Sequence, residues 1–153
     1  MSMVRWIFVV IIAMLVGFFV YVEMNNEMPQ DLGVNEGLLL PCPDTPNCIS
    51  SQADAADEEH YAEPILYKGG VKDAQLQVEQ FFLAQPDTRV IESQLGYAHI
   101  VVDSPLFGFK DDVELYFPEA DSVMHIRSAS RVGYDDLGVN RERVRQIRDL
   151  LVD

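Results

Sequence analysis

The sequence predicts an α+β protein, a small antiparallel sheet with about two helices packed on one face, preceded by a single N-terminal transmembrane helix. Three observations support this class: an uninterrupted apolar run near the N-terminus, four short segments with alternating apolar and polar residues, and two amphipathic segments that flank them. The chain has 153 residues, 48% apolar and 24% charged, which suits one core, and the sequence contains no internal repeat.

The N-terminal apolar run extends from Trp6 to Val22 without a charge. As a helix it would reach roughly 26 Å, slightly less than a hydrocarbon core of ~30 Å, and Arg5 can extend to the headgroups at its start. The run lacks the small-residue cleavage site that ends a signal peptide, so a retained anchor over residues 1–22 is favoured over a cleaved peptide. We therefore expect residues 6–22 to contact the inner membrane.

The charges beside the run predict its orientation. Arg5 precedes it, whereas acidic residues follow it, beginning at Glu23. Positive charge is retained in the cytoplasm, so this asymmetry predicts a single-pass protein with a cytoplasmic N-terminus. The C-terminal domain is then periplasmic or otherwise extracytoplasmic.

Two segments follow the anchor in the predicted domain organisation. Residues 23–39 are polar, with several Asn, Gly and Pro residues and no apolar periodicity, and are predicted to be a tether; residues 40–153 are predicted to be the globular domain. Thiols outside the cytoplasm usually oxidise, so Cys42 and Cys48, in the loop CPDTPNC, predict a disulfide. Two free buried thiols are the alternative.

An acidic loop follows the cysteine pair and surrounds His60 with five carboxylates: Asp54, Asp57, Glu58, Glu59 and Glu63. Such a cluster offers oxygen ligands to a hard cation. The simpler interpretation is a solvated loop, because the acids have no fixed ligand spacing. We therefore expect no metal site.

Regular elements begin after Pro64. The sequence predicts a short strand at residues 65–67, a helix from Val71 that ends before Pro86, and strands at residues 88–93 and 97–104 joined by a tight turn. A second strand pair covers residues 112–117 and 123–130. The last helix is predicted to begin at Arg141 with Asn140 as its cap, a hydrophobic staple between Val139 and Val144, and an apolar face at Val144, Ile147 and Leu151.

The register of the second strand pair follows from matching its apolar faces. With Ala120 and Asp121 as a two-residue loop, Leu115 opposes Ile126, and Tyr116 opposes His125. The same register sets acids against arginines on the outer face and predicts structural ion pairs among Asp112, Glu114, Arg127 and Arg131. It turns Ser128 and Ser130 inward, where each buried hydroxyl needs a partner.

Three segments read CPDTPNCISSQA, SPLFGFKDDVE and IRSASRVGYDDLGVNRERVRQIR. They resemble the signature blocks of the bacterial and plastid family known as domain of unknown function 1499. The resemblance covers roughly Leu40 to the C-terminus. It implies an exported or membrane-anchored domain, and it supplies no established reaction, cofactor or catalytic residue.

An anion site is the first functional hypothesis. Its candidate side chains are cationic or can donate hydrogen bonds, and the N-terminus of the last helix adds backbone amides. The candidates are Arg127, Ser128, Ser130, Arg131, Asn140 and Arg141. The alternative is that Arg127 and Arg131 pair with carboxylates and order the loop at residues 133–139. The net charge of −14 argues against nucleic acid as a partner, so we expect an envelope protein or a small anionic ligand.

Catalysis is the weaker hypothesis. The serines at 128 and 130 lack a G-x-S-x-G elbow, and Asp111 and Asp112 point to opposite faces of their strand. We expect a noncatalytic binding or interaction domain without catalytic residues or a cofactor. The alternative is a hydrolase-like enzyme that acts on an anionic envelope substrate through residues 127–141. Hydrogen-bond contact between Ser130 and either His99 or His125 would favour the enzyme.

An aromatic loop precedes the second strand pair and contains Leu106, Phe107 and Phe109. Apolar loop residues usually cover their own core. The alternatives are that the loop docks a partner or dips into lipid.

Overall fold

The computed structural model describes residues 3–119 and 122–152. In chain order the elements are α1 (Met3–Asn25), β1 (Cys48–Ser50), β2 (Ile65–Leu66), α2 (Val71–Leu83), β3 (Thr88–Gln94), β4 (Tyr97–Asp103), β5 (Lys110–Tyr116), β6 (Val123–Ser130) and α3 (Val139–Val152). The predicted α+β class is confirmed, with an apolar helix at the N-terminus. Sequence analysis missed β1, because a three-residue strand shows no periodicity.

The six strands form an antiparallel sheet in the order β1-β6-β5-β4-β3. The short strands β1 and β2 both pair with β6, one after the other along its outer edge. The predicted register between β5 and β6 is confirmed: Leu115 opposes Ile126, and Glu114 opposes Arg127. The two residues predicted to form their loop, 120 and 121, lie outside the described residues.

The hydrophobic core lies between α2, α3 and one face of the sheet. Val78 and Phe82 of α2 and Val144 and Ile147 of α3 are buried in it. The sheet contributes the alternate residues that share one face, including Ile100, Val113, Leu115 and Ile126. The predicted apolar face of the last helix is therefore the face that packs.

The predicted start of the last helix is wrong by two residues. α3 begins at Val139, and the Asn140 backbone N–H donates to Asp136 Oδ2 at 2.7 Å. Asp136 therefore supplies the capping carboxylate. The Asn140 side chain is fully buried and bonds to the sheet instead. Val139 lies inside the helix and is half exposed, so the predicted staple does not form.

The polar segment after α1 lies across the outer face of the sheet, opposite the other two helices of the described residues. α1 continues to Asn25, three residues beyond the predicted end at Val22. Residues 26–39, called the covering segment below, follow it. Asn26 is buried and donates from Nδ2 to the Gly108 carbonyl at 2.7 Å. The segment predicted to be a tether is thus bonded to the domain.

Candidate functional site

The six candidate anion-site residues do not converge on one pocket. Side chains alternate along a strand, so Arg127 projects from the outer face of β6 and Ser128 projects toward the helices. Arg131, which directly follows β6, also lies on the outer face, where it contacts Asp112. Asn140 joins the serines on the helix side. Arg141 lies apart, where its guanidinium donates to backbone carbonyls of the acidic loop, including that of Glu58 at 2.9 Å.

Arg131 belongs to a buried network centred on Asp112. Its Nε and Nη2 donate to the two oxygens of that carboxylate at 2.8 and 2.7 Å. His99 donates from Nε2 to Asp112 Oδ1 at 2.8 Å, and Arg131 Nη1 donates to the Asn26 carbonyl at 2.9 Å. Burial raises the pKa of Asp112, but the hydrogen bonds from Arg131 and His99 outweigh it and hold that pKa below its ordinary value. The network therefore fixes an ionised carboxylate and bonds the covering segment to β6.

Arg127 belongs to a second buried network, centred on Glu114. Arg127 Nη1 lies 3.5 Å from Glu114 Oε2. The other carboxylate oxygen accepts from the Tyr97 hydroxyl at 3.0 Å and from the Gly33 backbone N–H at 2.7 Å. Burial lowers the pKa of Arg127, and burial together with Glu114 raises the pKa of Tyr97. Glu114 Oε2 and Arg127 Nε are buried without a hydrogen-bond partner, so the pair is close but imperfectly bonded.

The carboxylates and guanidinium groups of these two networks have a total formal charge of zero. The outer face contributes two carboxylates, Asp112 and Glu114, and two guanidinium groups, Arg127 and Arg131, all nearly inaccessible to solvent. Each cation already has an acidic partner. The pairing agrees with the structural alternative weighed for these arginines, but the Arg131 side chain bonds to Asn26 rather than ordering the loop at residues 133–139. Neither arginine has an exposed fork for a ligand.

A separate polar cluster lies on the helix side of β6, and its cation is Arg143. Arg143 Nη1 donates to Ser128 Oγ at 2.8 Å and to the Asn140 side-chain oxygen, and Nη2 donates to Asp111 Oδ2 at 2.8 Å. Ser128 Oγ also donates to Asn140 at 2.5 Å, and Asn140 Nδ2 donates to Ser130 Oγ at 3.2 Å. The Asp111 side chain lies on the helix side of the sheet and the Asp112 side chain lies on the outer face, as their adjacent positions in one strand predict.

Sequence analysis named Arg141 and missed Arg143, although helical phase distinguishes them. Positions three and four residues apart share a face, so Arg143 and Asn140 lie with Val144 and Ile147 on the side that packs. Arg141 is rotated by about 100° from Asn140 and faces outward. Applying the phase of the apolar residues to the polar ones would have identified Arg143.

A cleft of about 290 Å³ opens beside the helix-side cluster. Arg143 and Ser130 contribute to its lining, and apolar walls come from Val102, Phe109, Val132 and Val139. Four carboxylates also line it: Asp103, Asp111, Asp135 and Asp136. One guanidinium among four carboxylates makes the cleft acidic, which disfavours a small anion there.

The acidic loop holds His60 in a defined environment. Its Nδ1 lies 2.7 Å from Asp57 Oδ2, and its Nε2 lies 3.1 Å from the Thr45 carbonyl oxygen. The hydrogen bond with Asp57 raises the pKa of His60, although burial opposes this. Within residues 3–119 and 122–152, no three His, Cys, Asp or Glu side chains are grouped as metal ligands would be. Thr45 lies in the loop closed by the disulfide between Cys42 and Cys48, which the structure contains as predicted.

The serines and histidines do not take the arrangement that would favour a hydrolase. Ser130 Oγ bonds to Asn140, whereas His99 and His125 project from the opposite face of the sheet. The serine near a histidine is Ser51, with 3.2 Å between its Oγ and His125 Nδ1. That hydroxyl is buried and accepts the Ile126 backbone N–H at 2.9 Å, a contact that ties the residue after β1 to β6.

The fold and these contacts define a class: an α+β domain with an apolar N-terminal helix and charged residues that form internal networks on both faces of its sheet. Within the described residues, α1 alone is long and apolar enough to cross a membrane, a property that signal sequences share. The family model of DUF1499, "Protein of unknown function", matches residues 38–151, and the chain belongs to that family. No curated protein and no solved structure matches it.

Proposed function

We propose that this protein is a noncatalytic interaction domain of the cell envelope. α1 holds it at the inner membrane with the N-terminus in the cytoplasm, and the domain binds an envelope protein through the loop at residues 133–139. The observation that carries the proposal is a pair of exposed apolar side chains on that loop. Tyr134 is 72% exposed and Leu137 is 91% exposed, and the loop borders the acidic cleft.

The loop is held in one conformation by its own carboxylates. Asp135 accepts the Leu137 backbone N–H at 2.7 Å, and Asp136 accepts the Gly138 N–H at 2.9 Å. Asn47 donates from Nδ2 to the Gly133 carbonyl at 2.8 Å. A loop ordered before binding loses less conformational entropy when a partner docks, which favours this segment as a contact surface.

Leu137 adopts a conformation that branched and bulky residues rarely use. Its φ is +57°, in the left-handed region, and its side chain has almost no contact with the domain. Folding of the domain gains nothing from placing a leucine there. Strained residues concentrate at binding sites, so this position supports a role in recognition.

The charges around the loop favour a protein partner over a small anion. Asp135 and Asp136 lie between the two apolar side chains, and the neighbouring cleft is acidic. A basic and apolar protein surface complements this combination, whereas an anion is repelled by it. The noncatalytic assignment is supported by the networks that occupy the arginines and serines first considered as a site.

In-cell photocrosslinking tests the proposed surface. A photoreactive amino acid replaces Leu137 or Tyr134 in the full-length protein, and the matched control replaces Leu83, an exposed leucine at the end of α2. We expect a discrete adduct of one protein at 134 and 137 and none at 83. Equal adducts at all three positions, or adducts only at 83, would refute the surface.

Two further measurements test the remaining parts of the proposal. A reporter enzyme that functions only outside the cytoplasm should be active when it is fused to the C-terminus, and one that functions only in the cytoplasm should be inactive there. Activity of the cytoplasmic reporter would contradict the proposed orientation. A fluorophosphonate probe should not label the purified protein. If the probe labels the wild-type protein and the labelling is lost in Ser130→Ala or Ser51→Ala, the interaction-domain proposal is wrong and the hydrolase alternative is favoured.

A further inference from the structure

We infer that the loop at residues 104–109, called the aromatic loop below, inserts into the membrane leaflet beside α1 and is a second membrane contact of the domain. The inference rests on the anchoring by α1 in the proposed function. Phe107 and Phe109 contact Phe18 of α1, with ring centroids 5.9 and 6.1 Å apart and the rings nearly perpendicular to that of Phe18. The loop is therefore attached to the helix that crosses the membrane.

The contact with Phe18 gives the depth of the loop. Tyr21 lies three residues further along α1, near the end of the apolar run, where aromatic residues with a polar group mark the membrane interface. Phe18 is about 4.5 Å deeper than Tyr21 along a helix with 1.5 Å rise per residue. Side chains that reach this level lie at the boundary between headgroups and acyl chains, the depth at which interfacial segments bind.

The loop does not cover the core of the domain. Leu106 is 71% exposed and Phe107 is 43% exposed, and neither they nor Phe109 belong to the buried core cluster. Beside the contact with Phe18, a cleft of about 400 Å³ lies between the loop and α1, lined on the helix side by Phe19, Val20, Val22 and Glu23. Its walls are largely apolar, and the cleft is open, which suits an acyl chain.

Charge identifies the kind of lipid surface. The aromatic loop has no charged residue, and the whole chain carries 25 acidic against 11 basic side chains. The net charge disfavours electrostatic attraction to anionic lipid, and apolar contact with the leaflet is the driving force that the loop offers. We assign a bilayer surface as the partner, and binding of the loop to it does not require anionic lipid.

The β3–β4 turn provides a matched control position. Leu95 in that turn is as exposed as Leu106, but it lies at the opposite end of β4 from the aromatic loop. The seven residues of β4 separate the two ends by about 23 Å at 3.3 Å per residue. A probe at Leu95 should remain in water when a probe at Phe107 is in lipid.

Depth-dependent fluorescence quenching tests the inference in the full-length chain. The protein has one tryptophan, Trp6 in α1, which reports on insertion of the anchor. Two variants, Trp6→Phe/Phe107→Trp and Trp6→Phe/Leu95→Trp, place the single tryptophan in the loop or in the control turn. Each protein is reconstituted into phosphatidylcholine vesicles that contain lipids brominated near the headgroup or deep in the chain.

We expect Trp6 to be quenched in the wild-type protein. The tryptophan at position 107 should be quenched several-fold more strongly than the one at position 95, and most strongly by shallow bromines. If Trp6 is quenched but the tryptophans at positions 107 and 95 are quenched equally, the inference about the loop is wrong, while insertion of α1 into the membrane is supported. A blue-shifted but unquenched tryptophan at 107 would mean that protein covers the loop, which also overturns it. An unquenched Trp6 would overturn the anchoring itself.

Discussion

Glu114 and Arg127 oppose each other across β5 and β6, with 3.5 Å between Oε2 and Nη1 and both side chains buried. The strand register predicts the pairing but places it on an outer face. The covering segment removes that face from water, and Gly33 and Tyr97 hold the other oxygen of Glu114. Burial makes this pair costly to disrupt, unlike exposed pairs, which contribute little.

Replacing Arg127 with methionine should destabilise the domain strongly, because Glu114 then stays buried as an unpaired charge. We expect Arg127→Met to lower the free energy of unfolding by about 3 to 5 kcal/mol. The double variant Glu114→Gln/Arg127→Met should recover part of this loss. Urea unfolding of the four proteins in the double-mutant cycle measures the coupling, and strictly additive losses would refute the pair.

Exchanging the two charges should not restore stability, because Glu114 has partners besides Arg127. In Glu114→Arg/Arg127→Glu, an arginine at position 114 would meet the Gly33 N–H and the Tyr97 hydroxyl, which both donate to the native carboxylate. Full recovery in the exchanged protein would contradict the arrangement described for the covering segment.

Arg143 should matter more for stability than Arg145, although both lie on α3 and both form ion pairs. Arg143→Met removes the cation from Asp111 and the donor from Ser128, and we expect a loss of about 2 to 4 kcal/mol. Arg145 pairs with Glu142 and Asp149 in solvent, so Arg145→Met should leave the urea midpoint nearly unchanged. Equal shifts for the two variants would show that burial does not distinguish them.

His60 should make stability depend on pH. Its two ring nitrogens lie beside acceptors, so the protonated ring donates to both Asp57 and the Thr45 carbonyl. The pKa of His60 is raised in the folded state. Its contribution is therefore fully present below the unfolded value of about 6.5 and is lost as the pH rises through the higher folded value.

Urea unfolding across this range measures the effect, with His60→Gln as the matched variant. The wild-type protein should lose more stability than the variant as the pH rises from about 6.5 through the raised folded pKa of His60. The same slope in both proteins would assign the pH dependence to other groups.

Reduction of the disulfide should loosen one segment and leave the fold in place. The closed loop is short, so its removal should cost on the order of 2 to 3 kcal/mol in the chain-entropy model. Hydrogen exchange should increase at residues 42–48 and around the Thr45 contact with His60, while β5 and β6 stay protected. Loss of protection throughout the sheet on reduction would contradict this prediction.

Sequence reasoning was most accurate where alternation was regular. Val113 and Leu115 of β5 alternate with acidic residues, Met124 and Ile126 of β6 alternate with basic ones, and that parity predicts the register in which Leu115 opposes Ile126. The same parity places Arg127 and Ser128 on opposite faces, and applying it to the anion-site hypothesis would have excluded one pocket shared by both. Local patterns determine which residues share a face.

The covering of the outer face could not be predicted in the same way. Residues 26–39 contain no periodic apolar residues, and their contacts depend on backbone groups such as the Gly33 N–H and the Asn26 carbonyl. Backbone donors and acceptors are present at nearly every position and identify no partner. The burial of Glu114 and Arg127 therefore emerges only in the folded chain.

The position of the covering segment has a consequence for the order of events during export. In the proposed topology this segment is the first part of the domain to leave the membrane. The Asn26 carbonyl, however, accepts its hydrogen bond from Arg131, which is 105 positions later in the chain. Contacts between such distant residues close late. We therefore expect a nearly complete sheet to form at the membrane surface while its acid-base face is still hydrated. Such an intermediate would expose charged rather than apolar surface on this face, which disfavours its association with other chains until the covering segment closes.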